Sequence, residues 1–318
     1  MKVLLTGATG FVGRGLLESL SAAPEIRVRA VVRSVPAGFP PVDVCRIDGL
    51  SASQDWAEAL QGIDVIVHAA ARVHVMREMA NDPLSAFRAI NVDATLNLAR
   101  QAAAAGVKRF IFLSSIKVNG EFTPMGRPFT EDAVPAPVDP YGQSKLEAER
   151  ALHQLAGESG LEVVIIRPPL VYGPGVGANF ASLMGALYRR RPLPFALVDN
   201  RRSLVARDNL VDFIRLCLNH PKAANQVFLV SDGEDLSSAA LCRRLSAALG
   251  VQPRLLPVPV FALRALALLT AKQAQMQRLL GSLQVDIGKA RRLLDWRPPI
   301  SVDQALGSVA RWYRESGR

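Results

Sequence analysis

Cysteine is scarce in this chain of 318 residues: Cys45, Cys217 and Cys242 stand far apart, odd in number and without a Cys-x-x-Cys pair. A disulfide framework is thereby excluded, no metal site is expected, and the three read as small core residues in a reducing compartment. Long hydrophobic runs are missing as well. The most apolar late stretch, residues 255–270, carries two prolines and Arg264 and falls short of a bilayer span. With the first strand starting at Lys2 there is no room for a signal peptide, so a cytoplasmic protein without stable membrane insertion is expected. Lysine is rare, seven against 31 arginines, yet the net charge is +10. Such a balance suits phosphates, nucleotides or a membrane surface, and a merely solvated arginine-rich surface stays open beside it. Apart from Arg189-Arg190-Arg191 the arginines are scattered, with no aromatic interleaving, and nucleic-acid binding is not expected.

What is present is a strand–helix alternation. Apolar runs at 2–5, 28–32, 43–47, 64–69, 110–114 and 163–167 read as strands, and periodic segments at 13–20, 53–61, 83–105 and 144–156 as helices. This predicts an α/β fold, a Rossmann-type doubly wound parallel sheet with a smaller, mostly helical substrate lobe. Pro168-Pro169 and the glycines at 173–177 break the pattern. The expected division is a dinucleotide-binding domain at 1–168, a lobe segment at 169–203, a return at 204–231 with a strand at 227–230, and a C-terminal lobe at 232–318. After residue 169 helices are expected over 180–188, 208–218, 238–249, 261–280, 287–294 and 302–313.

Thr6-Gly7-Ala8-Thr9-Gly10-Phe11-Val12-Gly13 falls between the first strand and the first helix. Gly7, Gly10 and Gly13 let such a turn close, admit a pyrophosphate against backbone and allow close helix–strand packing, while Thr9, Phe11 and Val12 supply the adjoining backbone. The helix N-terminus adds N–H groups and the positive end of its dipole. About 20 residues beyond such a turn an acid would meet the ribose of NAD. The second strand here ends Val31-Val32-Arg33-Ser34. Arg33 suits a 2′-phosphate, so NADP(H) is expected over NAD(H), with NAD(H) the second option.

Tyr141 and Lys145, four apart, share a helix face, where a cation lowers a phenol's pKa and lets it trade protons. Ser115 ends the fifth strand at the sheet edge where such folds bind ligands. Turn, serine and Tyr-x-x-x-Lys in this order resemble the short-chain dehydrogenases/reductases, specifically the extended group acting on nucleotide sugars. The resemblance covers nearly the whole chain, down to Asp295-Trp296-Arg297-Pro298.

It implies that Ser115 hydrogen-bonds the reacting oxygen, Tyr141 carries the proton and Lys145 holds the nicotinamide ribose. Asp48 would meet the adenine amino group, Ala69-Ala70-Ala71 would pass under the cofactor, and Asn91 would support the active site beside it. His68 reads as a structural strand-end residue. Arg167-Pro168 with Val171-Tyr172-Gly173-Pro174 matches a family segment, placing Pro168 at the cofactor. Asn179 and Arg202 would grip the nucleotide diphosphate of a UDP-sugar, and Asn119 and Leu170 are counted with the substrate contacts. A homodimer through the helices at 83–105 and 144–156 is implied too.

Departures narrow the activity. Nucleotide-sugar 4,6-dehydratases carry Thr-Asp-Glu where this chain has Ser115-Ile116-Lys117, so dehydration is not expected. Leu170 replaces the usual asparagine and makes the sugar pocket more apolar. Residues 113–120 resemble 4-keto-reductases of the UDP-N-acetylquinovosamine type, which serve surface polysaccharide. NADPH-dependent reduction at C4 is the first reading, a UDP-hexose or UDP-N-acetylhexosamine 4-epimerase the second. A non-catalytic NADP-sensing module is the third, disfavoured by the intact Tyr141 and Lys145.

Overall fold

The apolar run Lys2–Thr6 forms β1, whose burial on both faces marks an interior strand of a parallel sheet. The computed structural model describes residues 1–73, 82–269 and 273–316. After β1 come α1 (Phe11–Ser21), β2 (Arg27–Val32), β3 (Asp43–Arg46), the single turn α2 (Ala57–Leu60) and β4 (Val65–His68). A helical rod follows, built of α3 (Pro83–Arg88), a π-helical turn (Ala89–Ala94) and α4 (Thr95–Ala104). Then come β5 (Arg109–Leu113), a 3₁₀ turn (Ile116–Val118), α5 (Pro140–Ser159), β6 (Glu162–Arg167), β7 (Leu170–Tyr172) and α6 (Ala178–Tyr188). The chain continues through β8 (Arg202–Ala206), α7 (Arg207–Cys217), β9 (Gln226–Leu229), β10 (Asp235–Leu236) and α8 (Ser238–Leu249). It ends in α9 (Val260–Leu269), α10 (Gln273–Leu280), α11 (Gly288–Leu294) and α12 (Val302–Glu315).

Seven strands pair in the order β3-β2-β1-β4-β5-β6-β9, all parallel. Helices cover both faces. Leu16, Leu17 and Leu20 of α1 share one core with Phe213 and Ile214 of α7, and Leu98 and Ala102 of α4 share the other with Leu152 of α5. This is the doubly wound Rossmann-type architecture expected. The order reverses between β1 and β4, the crevice where such sheets take ligands. Thr6 pairs with both Val31 and His68, His68 with Phe112, and Leu113 with Ile166. The segments after β1, β2, β4, β5 and β6 therefore emerge along one edge.

A second sheet, β10-β8-β7, lies in the lobe, whose core gathers Tyr172, Phe180, Met184, Leu245, Leu306 and Tyr313. No strand is expected between 168 and 226; Arg202–Ala206 forms one because β7 and β10 flank it. Leu283 to Trp296, expected within the lobe, return to the sheet's core: the Trp296 ring meets Phe213 at 4.9 Å and its Nε1 donates to Asp212 at 2.9 Å.

Other differences have local causes. The helix expected over 53–61 shrinks to one turn, since Asn97 and Gln101 side chains donate to the Gln54 carbonyl and Gln101 accepts from the Trp56 N–H. The helix expected over 144–156 begins at Pro140, where Asp139 caps the Gly142 N–H and proline occupies the first helical position. The helix expected over 261–280 is two helices, with residues 270–272 outside the described ones.

Candidate active site

The turn after β1 is held by steric fit. Gly7 has φ of 72°, and a Cβ there would stand 2.7 Å from the Ala70 nitrogen; one on Gly13 would stand 2.0 Å from the Gly7 oxygen. Ala69 and Ala70 thus lie directly against the turn, with the Ala70 N–H donating to Thr6 Oγ1 at 3.3 Å. Gly10 is the N-cap of α1 with no side-chain cap, and no acid stands in the first turn, which contains Phe11, Val12 and Gly13. A helix N-terminus so prepared fits the diphosphate of a dinucleotide. Thr9, Arg33 and Asp48 are exposed; Arg33 follows β2 directly, and Asp48 follows β3 by two residues.

Ser115 leaves β5 in extended backbone and accepts from the Lys117 N–H at 3.2 Å. Tyr141, in the first turn of α5, hydrogen-bonds Ser115 through its hydroxyl. The two elements meet closely because residue 142 is glycine: a Cβ there would lie 2.8 Å from the Lys117 carbonyl. Burial, and next the Asp139 charge, push the phenol up to about 12, against which the Ser115 hydrogen bond lowers it. The expected lowering by Lys145 is absent. Its Nζ donates to the Leu113 carbonyl at 2.8 Å and lies 4.1 Å from the Phe112 ring centroid. Burial brings this amine down to about 7, opposed by Glu149.

Supporting groups fix α5. Asn91 sits in the π turn and is buried; its amide donates to the Arg72 carbonyl and to Ser144 Oγ, both at 3.0 Å, and accepts from the Arg72 N–H at 2.8 Å. Both amide hydrogens of Asn91, a residue expected to support the active site and counted with the cofactor contacts, are engaged in protein, tying α5 to Arg72. Glu149 and Arg167 form a buried bidentate pair, with Ser114 donating to Glu149. His68 bonds Thr6 Oγ1 at 2.8 Å and Thr95 Oγ1 at 3.0 Å, and burial drives it down to about 3, so it is a neutral structural residue.

A cleft of about 610 Å³ opens beside this group. Ser115, Tyr141, Leu170, Asn179 and Arg202 all line it, so the tertiary structure gathers five expected residues from across the chain. Arg202 is steadied by the Gly281 carbonyl at 3.1 Å. Asn119 is a correction. It is buried, its Oδ1 accepts from Arg167 and its Nδ2 donates to the Thr130 carbonyl, and it does not line the cleft. Pro168 contributes backbone, its carbonyl accepting from Ile116 at 3.0 Å.

Two further lining residues were not foreseen as site residues. Lys117 pairs with Asp139 and lies 3.5 Å from the Glu121 carboxylate and 6.0 Å from the Tyr141 ring centroid. The Lys-x-x-x-Glu spacing and the Asp139-Pro140 cap are the sequence signals of this cluster.

The profile of the NAD dependent epimerase/dehydratase family matches residues 3–231. The UDP-glucose 4-epimerase of Vibrio cholerae is 47% identical over 322 residues, covering 99% of this chain and 96% of that protein. The solved UDP-glucuronic acid 4-epimerase of Bacillus cereus in complex with NAD superposes with a TM-score of 0.79 at 22% identity, covering 100% of both chains. RMD from Pseudomonas aeruginosa complexed with NADPH superposes with a TM-score of 0.75 at 22% identity over 99% of each. These last two are likenesses of fold.

Proposed function

The chain belongs to the NAD dependent epimerase/dehydratase family, and from that membership we propose that it is a nicotinamide-dependent 4-epimerase of UDP-hexoses. The 47% identity to the Vibrio cholerae UDP-glucose 4-epimerase, spanning 99% of this chain, carries this reading. It reverses the order expected from the sequence, in which reduction stood first.

When bound, the nicotinamide supplies the acceptor and donor of hydride at C4. The Gly7–Gly13 turn and the α1 N-terminus would hold its diphosphate and Lys145 its ribose, with Arg33 and Asp48 at the adenosine end. Tyr141, protonated at neutral pH, is ready to give a proton to a carbonyl oxygen, and Ser115 steadies that oxygen. Taking a proton from a hydroxyl calls for a cation near the phenol. Lys117, 6.0 Å from the ring centroid, is the cation the fold supplies there, and Lys145, one helical turn away, adds to it when protonated. An epimerase must turn the oxidised sugar over before hydride returns. The apolar walls of Leu170, Phe180, Leu183 and Phe195 leave room for this without binding one orientation by hydrogen bonds.

One observation favours a second reading. Arg33, with no acid at the end of β2, suits NADPH, and so a reductase of a 4-keto-6-deoxy UDP-N-acetylhexosamine yielding UDP-N-acetylquinovosamine. A single experiment separates the two. The purified chain is given UDP-galactose with NAD, and separately the 4-keto sugar nucleotide with NADPH. Interconversion of UDP-galactose and UDP-glucose without net cofactor oxidation supports the epimerase. NADPH oxidation on the keto sugar alone replaces it with the reductase, and binding without turnover would leave a sensor.

A further inference from the structure

The carboxyl-terminal lobe carries an exposed apolar corner at the rim of the substrate cleft. Phe261, Leu268 and Leu269 of α9 are 76%, 63% and 86% exposed, and Leu197, Leu256 and Leu279 are exposed as well. Leu197 and Leu268 frame a groove of about 730 Å³ with Val260, Met276 and Leu280, and Leu279 beside it lines the substrate cleft. An apolar surface gathered in this way marks an interaction site more often than an accident of folding.

Charge says what covers it. From Leu236 to Val285 the sequence has no aspartate or glutamate, while Arg243, Arg254 and Arg264 fall within it and are exposed, with Asp199 joining Arg264 in the groove lining. The Arg189-Arg190-Arg191 run, exposed at the end of α6, is tied to the same corner. The Leu193 N–H donates to the Arg254 carbonyl at 2.9 Å, and the Ala196 N–H to the Leu256 carbonyl at 3.2 Å. A second copy of the chain docking symmetrically here would set these cations against themselves. A negatively charged, apolar-cored surface meets both features.

We propose that this corner docks on an anionic lipid bilayer. α9 lies in the plane of the interface with Phe261, Leu268 and Leu269 among the acyl chains, and the arginines meet lipid phosphates. Attachment is peripheral, since among the described residues no helix is long and apolar enough to cross a membrane. Through Leu279 the arrangement sets the substrate cleft beside the membrane surface. The inference stands whichever sugar chemistry the cleft performs.

The test is co-sedimentation of the full chain with vesicles of mixed phosphatidylglycerol and phosphatidylcholine, against phosphatidylcholine alone. Binding is expected to the anionic vesicles and to weaken with salt. Leu268→Glu with Leu269→Glu should lower it at least ~10-fold. Arg189→Ala, Arg190→Ala and Arg191→Ala together should lower it about a hundredfold, on the scale of lipid attraction per cation. Leu268→Ser with Leu269→Ser, milder and checked for native circular dichroism, separates a lost contact from a lost fold. A chain that stays in the supernatant with phosphatidylglycerol overturns the proposal, as does binding unchanged in every variant. So does a solution mass that the leucine variants halve, which would make the corner a self-association surface.

Discussion

Lys145 Nζ donates to the carbonyl oxygen of Leu113 at 2.8 Å. The ammonium is thereby held at the end of β5, buried, under the sheet edge where Ser115 emerges. A lysine whose pKa is about 7 in the fold and 10.5 when free is protonated more in the unfolded chain across that interval. Stability therefore rises with pH from about 7 towards 10.5 on its account. Thermal unfolding of the cofactor-free protein and of Lys145→Met, compared over this range, should show the difference growing with pH. Parallel curves would mean the lysine is not desolvated.

Removing the phenol hydroxyl should stop proton transfer and leave the fold standing, because Ser115 is the hydrogen-bond partner it loses. Tyr141→Phe should lower turnover by roughly 10²–10⁴-fold. Steady-state kinetics on UDP-galactose check this, and turnover within tenfold of the parent would remove Tyr141 from the mechanism.

Lys117 offsets the charge of Asp139, which raises the Tyr141 pKa. Lys117→Ala should leave the phenol facing an uncompensated carboxylate and move the alkaline-favoured limb of the turnover profile to higher pH. Asp139→Asn, which keeps a capping side chain, should move it to lower pH. Two variants shifting the same way, or not at all, would contradict the coupling.

Glu149 and Arg167 are 3% and 6% exposed and exchange bonds of 2.5 to 3.1 Å. Glu149→Ala leaves the guanidinium buried and unpaired, so a loss of about 3–5 kcal/mol is expected by urea denaturation. A loss below about 1 kcal/mol would place the pair among weak surface bridges.

Arg33 is the test of cofactor choice. Arg33→Ala should weaken NADPH at least ~10-fold relative to NADH, as expected when a bidentate phosphate contact is lost. An unchanged ratio, measured by cofactor fluorescence titration, would free Arg33 of that role.

The cofactor turn was readable because its requirements are local: Gly7 and Gly13 leave no room for a Cβ, and that constraint shows in the spacing. Tyr141 and Lys145 were readable as one turn of helix for the same reason. The start of α5 was misjudged by four residues, although Asp139-Pro140 announces it. The uninterrupted helix expected over 83–105 hid the π turn at Asn91, since an extra residue in a helical turn leaves little trace in hydrophobic period.

Residue type and spacing alone determined the parallel α/β sheet, the glycine turn after β1 and the one-turn spacing of Tyr141 and Lys145, because each depends on neighbours within a few residues or on a repeating pattern of burial. Tertiary structure decided the rest. It buried Asn119 against Arg167, paired Lys117 with Asp139, turned Lys145 towards Leu113, and closed the cleft with Arg202 and Leu279 from far along the chain. A side chain's charge and exposure are set by whatever packs around it, and those neighbours are chosen by the fold.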